Sequence, residues 1–83
     1  MNRFEYLILS ILERAGSCSP ASAMTVKEIT ETEDYGYREN TIYKKLREFE
    51  MKGHVGKGFK DGRADTFYIT DTGRDLLITV RGK

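Results

Sequence analysis

The hydrophobic and polar positions of the chain alternate with helical spacing over several segments. In residues 3–14 the apolar residues recur at i, i+3, i+4, i+7 and i+8, which makes one apolar stripe on a helix; they are Phe4, Leu7, Ile8, Ile11 and Leu12. Tyr6 and Leu9 lie outside this stripe. Partial burial in the same core is the favoured interpretation for both, and contact with a second subunit is the alternative.

A short second helix is predicted over residues 26–32. Thr25 and Glu28 have the spacing of a capping box, in which each side chain accepts a hydrogen bond from the other residue's amide. The helix is expected to bury Val26 and Ile29. Residues 16–23 before it are small and polar and predict a loop, and residues 33–37 after it predict a turn.

The strongest helical pattern covers residues 38–52. Ile42, Leu46 and Phe49 follow the spacing i, i+4 and i+7 and define its buried face. Gly53 follows the last turn, where a residue of positive φ commonly ends a helix. Five residues point away from the buried face, namely Asn40, Lys44, Arg47, Glu48 and Met51.

The pattern beyond residue 53 is that of a hairpin followed by a helix. Residues 54–60 and 64–69 are strand-like, and Asp61-Gly62 between them accepts the positive φ angles of a primed turn. Thr70 is the expected N-cap of a last helix, whose apolar positions are Leu76, Leu77 and Val80. The extended residues Ala23 and Met24 predict a third short strand.

This order of elements predicts a winged helix-turn-helix, which belongs to the α+β class. Residues 1–83 are expected to form a single domain with a three-helix core, a two-stranded β wing and a C-terminal helix. The helix over 38–52 is then the recognition helix, and residues 55–69 form the wing.

The charge distribution agrees with that interpretation although the formal net charge is only +1. Residues 1–37 carry three basic and six acidic side chains, residues 38–63 carry eight basic and four acidic ones, and residues 64–83 carry three of each. The local charge is therefore −3, then +4, then zero. A polyanion responds to such a local basic field rather than to the overall charge.

Nine residues are candidates for contact with double-stranded DNA. Asn40 suits a bidentate pair with adenine, and Arg38 or Lys44 suits guanine. Thr41 suits a phosphate or a thymine methyl group. Tyr43 and Lys45 are better placed for the DNA backbone, and the wing cations suit phosphate or the minor groove; these cations are Lys57, Lys60 and Arg63. The alternative is a solvated helix surface, with a pair such as Lys44–Glu48, and an ordinarily charged hairpin tip.

Two stretches resemble the PadR-type and MarR-type transcriptional regulators of bacteria. Residues 41–55, Thr-Ile-Tyr-Lys-Lys-Leu-Arg-Glu-Phe-Glu-Met-Lys-Gly-His-Val, are similar to their recognition helix and first wing strand. Residues 67–77, Phe-Tyr-Ile-Thr-Asp-Thr-Gly-Arg-Asp-Leu-Leu, are similar to the end of the wing and the start of the next helix. The resemblance covers residues 4–80, and the Thr-Ile-Tyr triplet favours PadR. It implies a transcriptional regulator that binds a specific DNA sequence.

Other functions receive less support from the sequence. The single Cys18 and the single His54 offer neither a disulfide nor a metal site, and no nucleophile–base pair is apparent, so neither an enzyme nor a cofactor is expected. No apolar run is long enough for a membrane span and no signal peptide is recognisable, so the cytoplasm is expected.

The competing hypotheses are a winged-helix module that binds proteins and an accessory DNA-binding factor of a phage or plasmid. A homodimer is expected through helix 1 and the C-terminal helix, with Tyr6, Leu9, Leu77, Ile78 and Val80 as the available contacts.

Overall fold

The computed structural model describes residues 1–32 and 36–82, which form four α-helices and one three-stranded antiparallel sheet. The helices are α1 (Arg3–Arg14), α2 (Val26–Thr32), α3 (Glu39–Met51) and α4 (Asp71–Arg81). The strands are β1 (Met24–Thr25), β2 (Val55–Lys57) and β3 (Thr66–Ile69), in the order β1-β3-β2. The predicted α+β winged helix-turn-helix is confirmed, including its third short strand.

The helix boundaries follow from side chains that cap the first turns. The predicted capping box of α2 is present, because the Glu28 amide donates to the Thr25 hydroxyl at 3.1 Å and the Thr25 amide donates to the Glu28 carboxylate at 2.9 Å. Asn2 and Glu5 form a second such box at the start of α1. The Thr70 hydroxyl caps α4 by accepting from the Gly73 amide at 3.1 Å.

The connections between the helices agree with the predictions where the structure describes them. Gly53, with φ +81°, follows α3 as expected. The predicted loop over 16–23 contains one 3₁₀ turn, Pro20–Ser22. Of the predicted turn over 33–37, residues 33–35 lie outside the described residues, and Gly36 has φ +78°.

The core lies where α1, α2, α3, α4 and β3 meet. Ile42, Leu46 and Phe49 of α3 are buried in it as predicted. The buried part of α1 is wider than one stripe, because α1 packs against α2, α4 and β3 together. Leu9 and Leu77 are therefore completely buried within one chain. The expectation that these two leucines contact a second subunit is wrong, whereas the burial expected for Leu9 is confirmed.

The wing is a hairpin whose turn lies one residue later than the sequence pattern suggested. Asp61 and Ala64 exchange two backbone hydrogen bonds, at 3.1 and 3.0 Å, so the two turn residues are Gly62 and Arg63. Of the two turn residues, Gly62 has a positive φ, at +64°, and Asp61 before the turn does not need one. The prediction of an Asp61-Gly62 turn is corrected accordingly. The shift makes Arg63 the residue at the tip.

Candidate nucleic-acid interface

The outward face of α3, together with the residue that precedes it, presents a group of exposed polar side chains. They lie away from Ile42, Leu46 and Phe49, which are at most 6% exposed and fix how the helix sits on the core. All four members of the group are exposed, and none makes an ion pair or a side-chain hydrogen bond to another described residue; they are Arg38, Asn40, Thr41 and Lys44. Major-groove recognition uses such donors and acceptors near the N-terminal end of a helix.

Lys45 has different surroundings from its neighbour Lys44. Its ammonium nitrogen lies 2.6 Å from the carboxylate of Glu48 and 3.4 Å from that of Glu5 on α1, and its side chain is 20% exposed. The hydrogen bond to Glu48 raises the pKa of Lys45, and the nearby charge of Glu5 adds to this effect. Glu48 thus pairs with Lys45, and the surface pair Lys44–Glu48 considered from the sequence is not formed. Lys45 holds α3 against α1.

Tyr43 and Arg47 form a fixed pair on the same helix. The Tyr43 ring packs edge-on against Phe67 of β3, with 6.1 Å between centroids, and its hydroxyl accepts a hydrogen bond from Arg47 at 3.0 Å. The Arg47 guanidinium lies 5.9 Å from the centre of the Tyr43 ring and 3.4 Å from the Glu50 carboxylate. The hydrogen bond to Tyr43 raises the pKa of Arg47, with smaller contributions from Glu50 and from Asp65 of the wing.

The three wing cations differ in what surrounds them. The ammonium groups of Lys57 and Lys60 lie 3.7 and 3.9 Å from the two carboxylate oxygens of Asp65. Arg63 at the tip is exposed and pairs with none of the described acidic residues. Phe59, between the two lysines in sequence, is 71% exposed. Sequence reasoning attached no role to Phe59 or Asp65, because composition alone does not indicate that Asp65 shares a surface with α3.

An open groove of about 440 Å³ joins α3 to the wing tip. Glu39 and Tyr43 of α3 line one side, and Arg63 and Asp65 of the wing line the other. The N-terminal end of α2 completes the groove through Lys27. Helix and wing therefore border one continuous surface, which is the arrangement that lets a helix enter a major groove while a hairpin contacts the adjacent backbone.

Outside this groove, the described residues include no side-chain cluster typical of a metal site. Cys18 is exposed, His54 is partly buried beside Phe49, and no group of three or more His, Cys, Asp or Glu side chains within residues 1–32 and 36–82 is placed to hold a metal ion. No helix in the described ranges has both the length and the apolar composition that crossing a membrane takes.

Comparisons with known proteins agree on the architecture. No protein-family model and no curated protein matches the chain. Among solved structures it is similar to TubR from Bacillus megaterium pBM400, with a TM-score of 0.81 and 17% identity over 100% of this chain and 89% of that one. It is similar to the DNA-binding TubR fragment from Clostridium botulinum, with a TM-score of 0.75 and 25% identity over 96% of each chain.

A third similar structure is a PadR family transcription regulator from hypervirulent Clostridium difficile R20291. The TM-score is 0.74 and the identity 20%, over 98% of this chain and 85% of that one. The chain thus has the winged-helix fold of DNA-binding regulators, and its resemblance to PadR-type proteins is confirmed at the level of the fold.

Proposed function

We propose that the protein is a transcriptional regulator that binds double-stranded DNA at specific sequences. The observation that carries the proposal is the groove shared by α3 and the wing, beside which α3 exposes polar side chains that pair with no other described residue. In this proposal α3 reads base edges in the major groove, and the wing contacts the phosphate backbone or the minor groove. The similar structures support it, since one is a DNA-binding fragment and another is a transcription regulator.

The proposed roles divide the candidate residues into two groups. Asn40 and Arg38 read bases, because an amide matches adenine and a guanidinium matches guanine. In this proposal Lys44 binds phosphate rather than the guanine suggested from the sequence, and Arg63 also binds phosphate. Each is exposed and unpaired among the described residues. Thr41 contacts a phosphate or a thymine methyl group. Tyr43, Lys57 and Lys60 contact the DNA backbone. The sequence predicted the same role for Lys45, but Glu48 and Glu5 engage its ammonium group, so this proposal assigns it no DNA contact.

Fluorescence anisotropy with a pool of random duplex DNA, at low and then physiological salt, tests the proposal. We expect binding that falls steeply with salt, because phosphate contacts release counterions. Replacing Lys44 and Arg63 together by alanine should reduce the salt slope by about 1.8, at about 0.9 for each lost contact. Arg74→Ala is the matched control, because Arg74 is exposed on α4, which contributes nothing to the groove.

Either of two results would contradict the proposal. If Arg74→Ala weakened binding as much per charge as the groove variants, the surface would be wrongly assigned. If the folded protein bound no duplex even at low salt, the protein-interaction module would become the better hypothesis. If the protein binds, an operator can be selected from the same pool. Asn40→Ala is expected to relax the preference of the protein for this operator at one base pair by about 1–3 kcal/mol.

The proposal includes a homodimer, because two-fold DNA sites are commonly bound by two-fold dimers. The exposed apolar side chain on α4 is Ile78, which is 60% exposed. On α1, Tyr6 is partly buried, and its hydroxyl accepts a hydrogen bond from Arg81 at 3.0 Å. Sedimentation at tens of micromolar should give a dimer mass that Ile78→Asp reduces to that of a monomer. A monomer mass for the unaltered protein would contradict this part. The cytoplasmic location predicted from the sequence belongs to the same proposal.

A further inference from the structure

Asp65 is an acidic residue in a place where a DNA-binding surface is expected to be basic. It lies between the wing turn and β3, its side chain is 24% exposed, and it lines the groove opposite Glu39 and Tyr43 of α3. Its two carboxylate oxygens face the ammonium groups of Lys57 and Lys60, at 3.7 and 3.9 Å. One carboxylate thus faces two of the three cations that the wing would offer to phosphate.

The influence of Asp65 extends across the groove to α3. Its negative charge is one of the interactions that stabilise the charged form of Arg47, after Tyr43 and Glu50. The guanidinium of Arg47 donates a hydrogen bond to the hydroxyl of Tyr43, which itself lines the groove. A phosphate that approached the groove would therefore meet cations already partly neutralised, and the carboxylate itself would repel it.

Fold stability does not account for this placement. Both ion pairs are near the 4 Å limit of such contacts, and the lysines are 39% and 68% exposed. Exposed pairs of this kind contribute little to the free energy of unfolding. The main physical consequence of the carboxylate is thus the field it creates in the groove, which opposes every phosphate alike whatever the base sequence.

We propose that Asp65 is a negative determinant of DNA binding, which lowers the affinity for phosphate in general so that only sites with base contacts to α3 are occupied. The inference rests on the proposed function. Affinity from phosphate contacts is independent of sequence, whereas base contacts discriminate. An acidic residue that opposes the first reduces occupancy of random DNA at a given protein concentration and leaves the base contacts intact.

The test measures binding of Asp65→Asn to random duplex DNA and to a selected operator, by anisotropy over a range of salt concentrations. We expect affinity to rise about three- to tenfold at 0.1 M salt for both DNAs, with a salt slope steeper by about 0.5–1, as Lys57 and Lys60 become freer to bind phosphate. Asp75→Asn is the matched control, since it changes the net charge equally from an exposed position on α4. Asp65→Glu retains the charge and should retain the original affinity.

A second pair of variants tests the mechanism. Lys60→Ala should weaken binding more in the Asp65→Asn background than in the original protein, because Asp65 no longer neutralises Lys60. Circular dichroism and urea unfolding of Asp65→Asn establish that the wing and core are retained.

Four results would overturn the inference. An equal gain from Asp75→Asn would show that only net charge matters. A gain or loss confined to one sequence would show that Asp65 reads a base, as a carboxylate does when it accepts from cytosine. Unchanged affinity of Asp65→Asn, with salt-dependent binding that Lys44→Ala and Arg63→Ala weaken, would refute the inference and leave the proposed function standing. Absence of binding by every folded variant would refute both.

Discussion

The same substitution should have different effects at two adjacent lysines of α3: it should lower DNA affinity at Lys44 and fold stability at Lys45. Lys44 is exposed and unpaired among the described residues, whereas Lys45 contacts Glu48 at 2.6 Å and Glu5 at 3.4 Å. Lys44→Ala and Lys45→Ala each remove one positive charge from the same helix. Any difference between the variants therefore reports the direction in which each side chain points.

The magnitudes follow from these contacts. Lys44→Ala loses one phosphate contact, which lowers the salt slope by about 0.9 and the affinity about eightfold at 0.1 M salt, and it should leave the free energy of unfolding within about 0.5 kcal/mol. Lys45→Ala breaks two ion pairs, one of which joins α3 to α1. It should lower the free energy of unfolding by about 1 kcal/mol and the melting temperature by about 4–8 °C.

Anisotropy with duplex DNA and urea unfolding followed by circular dichroism measure both effects. Binding is measured at a temperature where both variants are fully folded, so that loss of stability does not register as loss of affinity. The reasoning fails if Lys45→Ala loses as much affinity as Lys44→Ala while its stability is unchanged, because Lys45 would then face the DNA, as the sequence-based prediction has it.

Three further substitutions test the fold around the interface. Gly73→Ala should destabilise the protein by about 1–2 kcal/mol in urea although alanine favours helices, because a Cβ at Gly73 would overlap the carbonyl oxygen of His54; unchanged stability would contradict the close packing. The backbone hydrogen bond from Asn2 lowers the pKa of Glu5 below its ordinary value of 4.5. The resulting stability is present above about pH 4.5 and is lost as the pH falls through the lower pKa of the folded state, so Glu5→Gln should be less stable at pH 7 and lose less on acidification to about pH 3. Gly62→Ala should cost about 1 kcal/mol at the wing turn, where φ is +64°, and hydrogen exchange should accelerate in the turn but not in the core.

Local spacing accounts for the elements that could be predicted. The buried face of α3 needs only a 3.6-residue period, and the capping box at Thr25 and Glu28 needs only four consecutive residues. Both signals lie within a few residues of each other along the chain, so tertiary contacts do not have to be known. The order of the elements then restricts the topology, which is why the winged helix could be predicted.

Sequence patterns predicted the structure less well where a residue's surroundings depend on contacts with other elements. Leu9 lies outside a single helical stripe, yet contacts of α1 with α2, α4 and β3 bury it completely. The dipeptide Asp61-Gly62 fits a primed turn, but the hydrogen bonds between Asp61 and Ala64 place the turn one residue later. In both cases the outcome depends on partners that are distant in sequence or on strand register.

The sequence by itself therefore determined the helices, their caps, the order of elements and the concentration of positive charge in residues 38–63. Tertiary structure alone decided which charges are available. Lys44 and Lys45 are adjacent residues of the same type, and only the packing of α1 against the core brings Glu5 close to Lys45. Asp65 and Lys57 are eight positions apart, and only the hairpin brings them together. Because charges interact through space, the electrostatics of the groove depend on distances that only the tertiary structure sets.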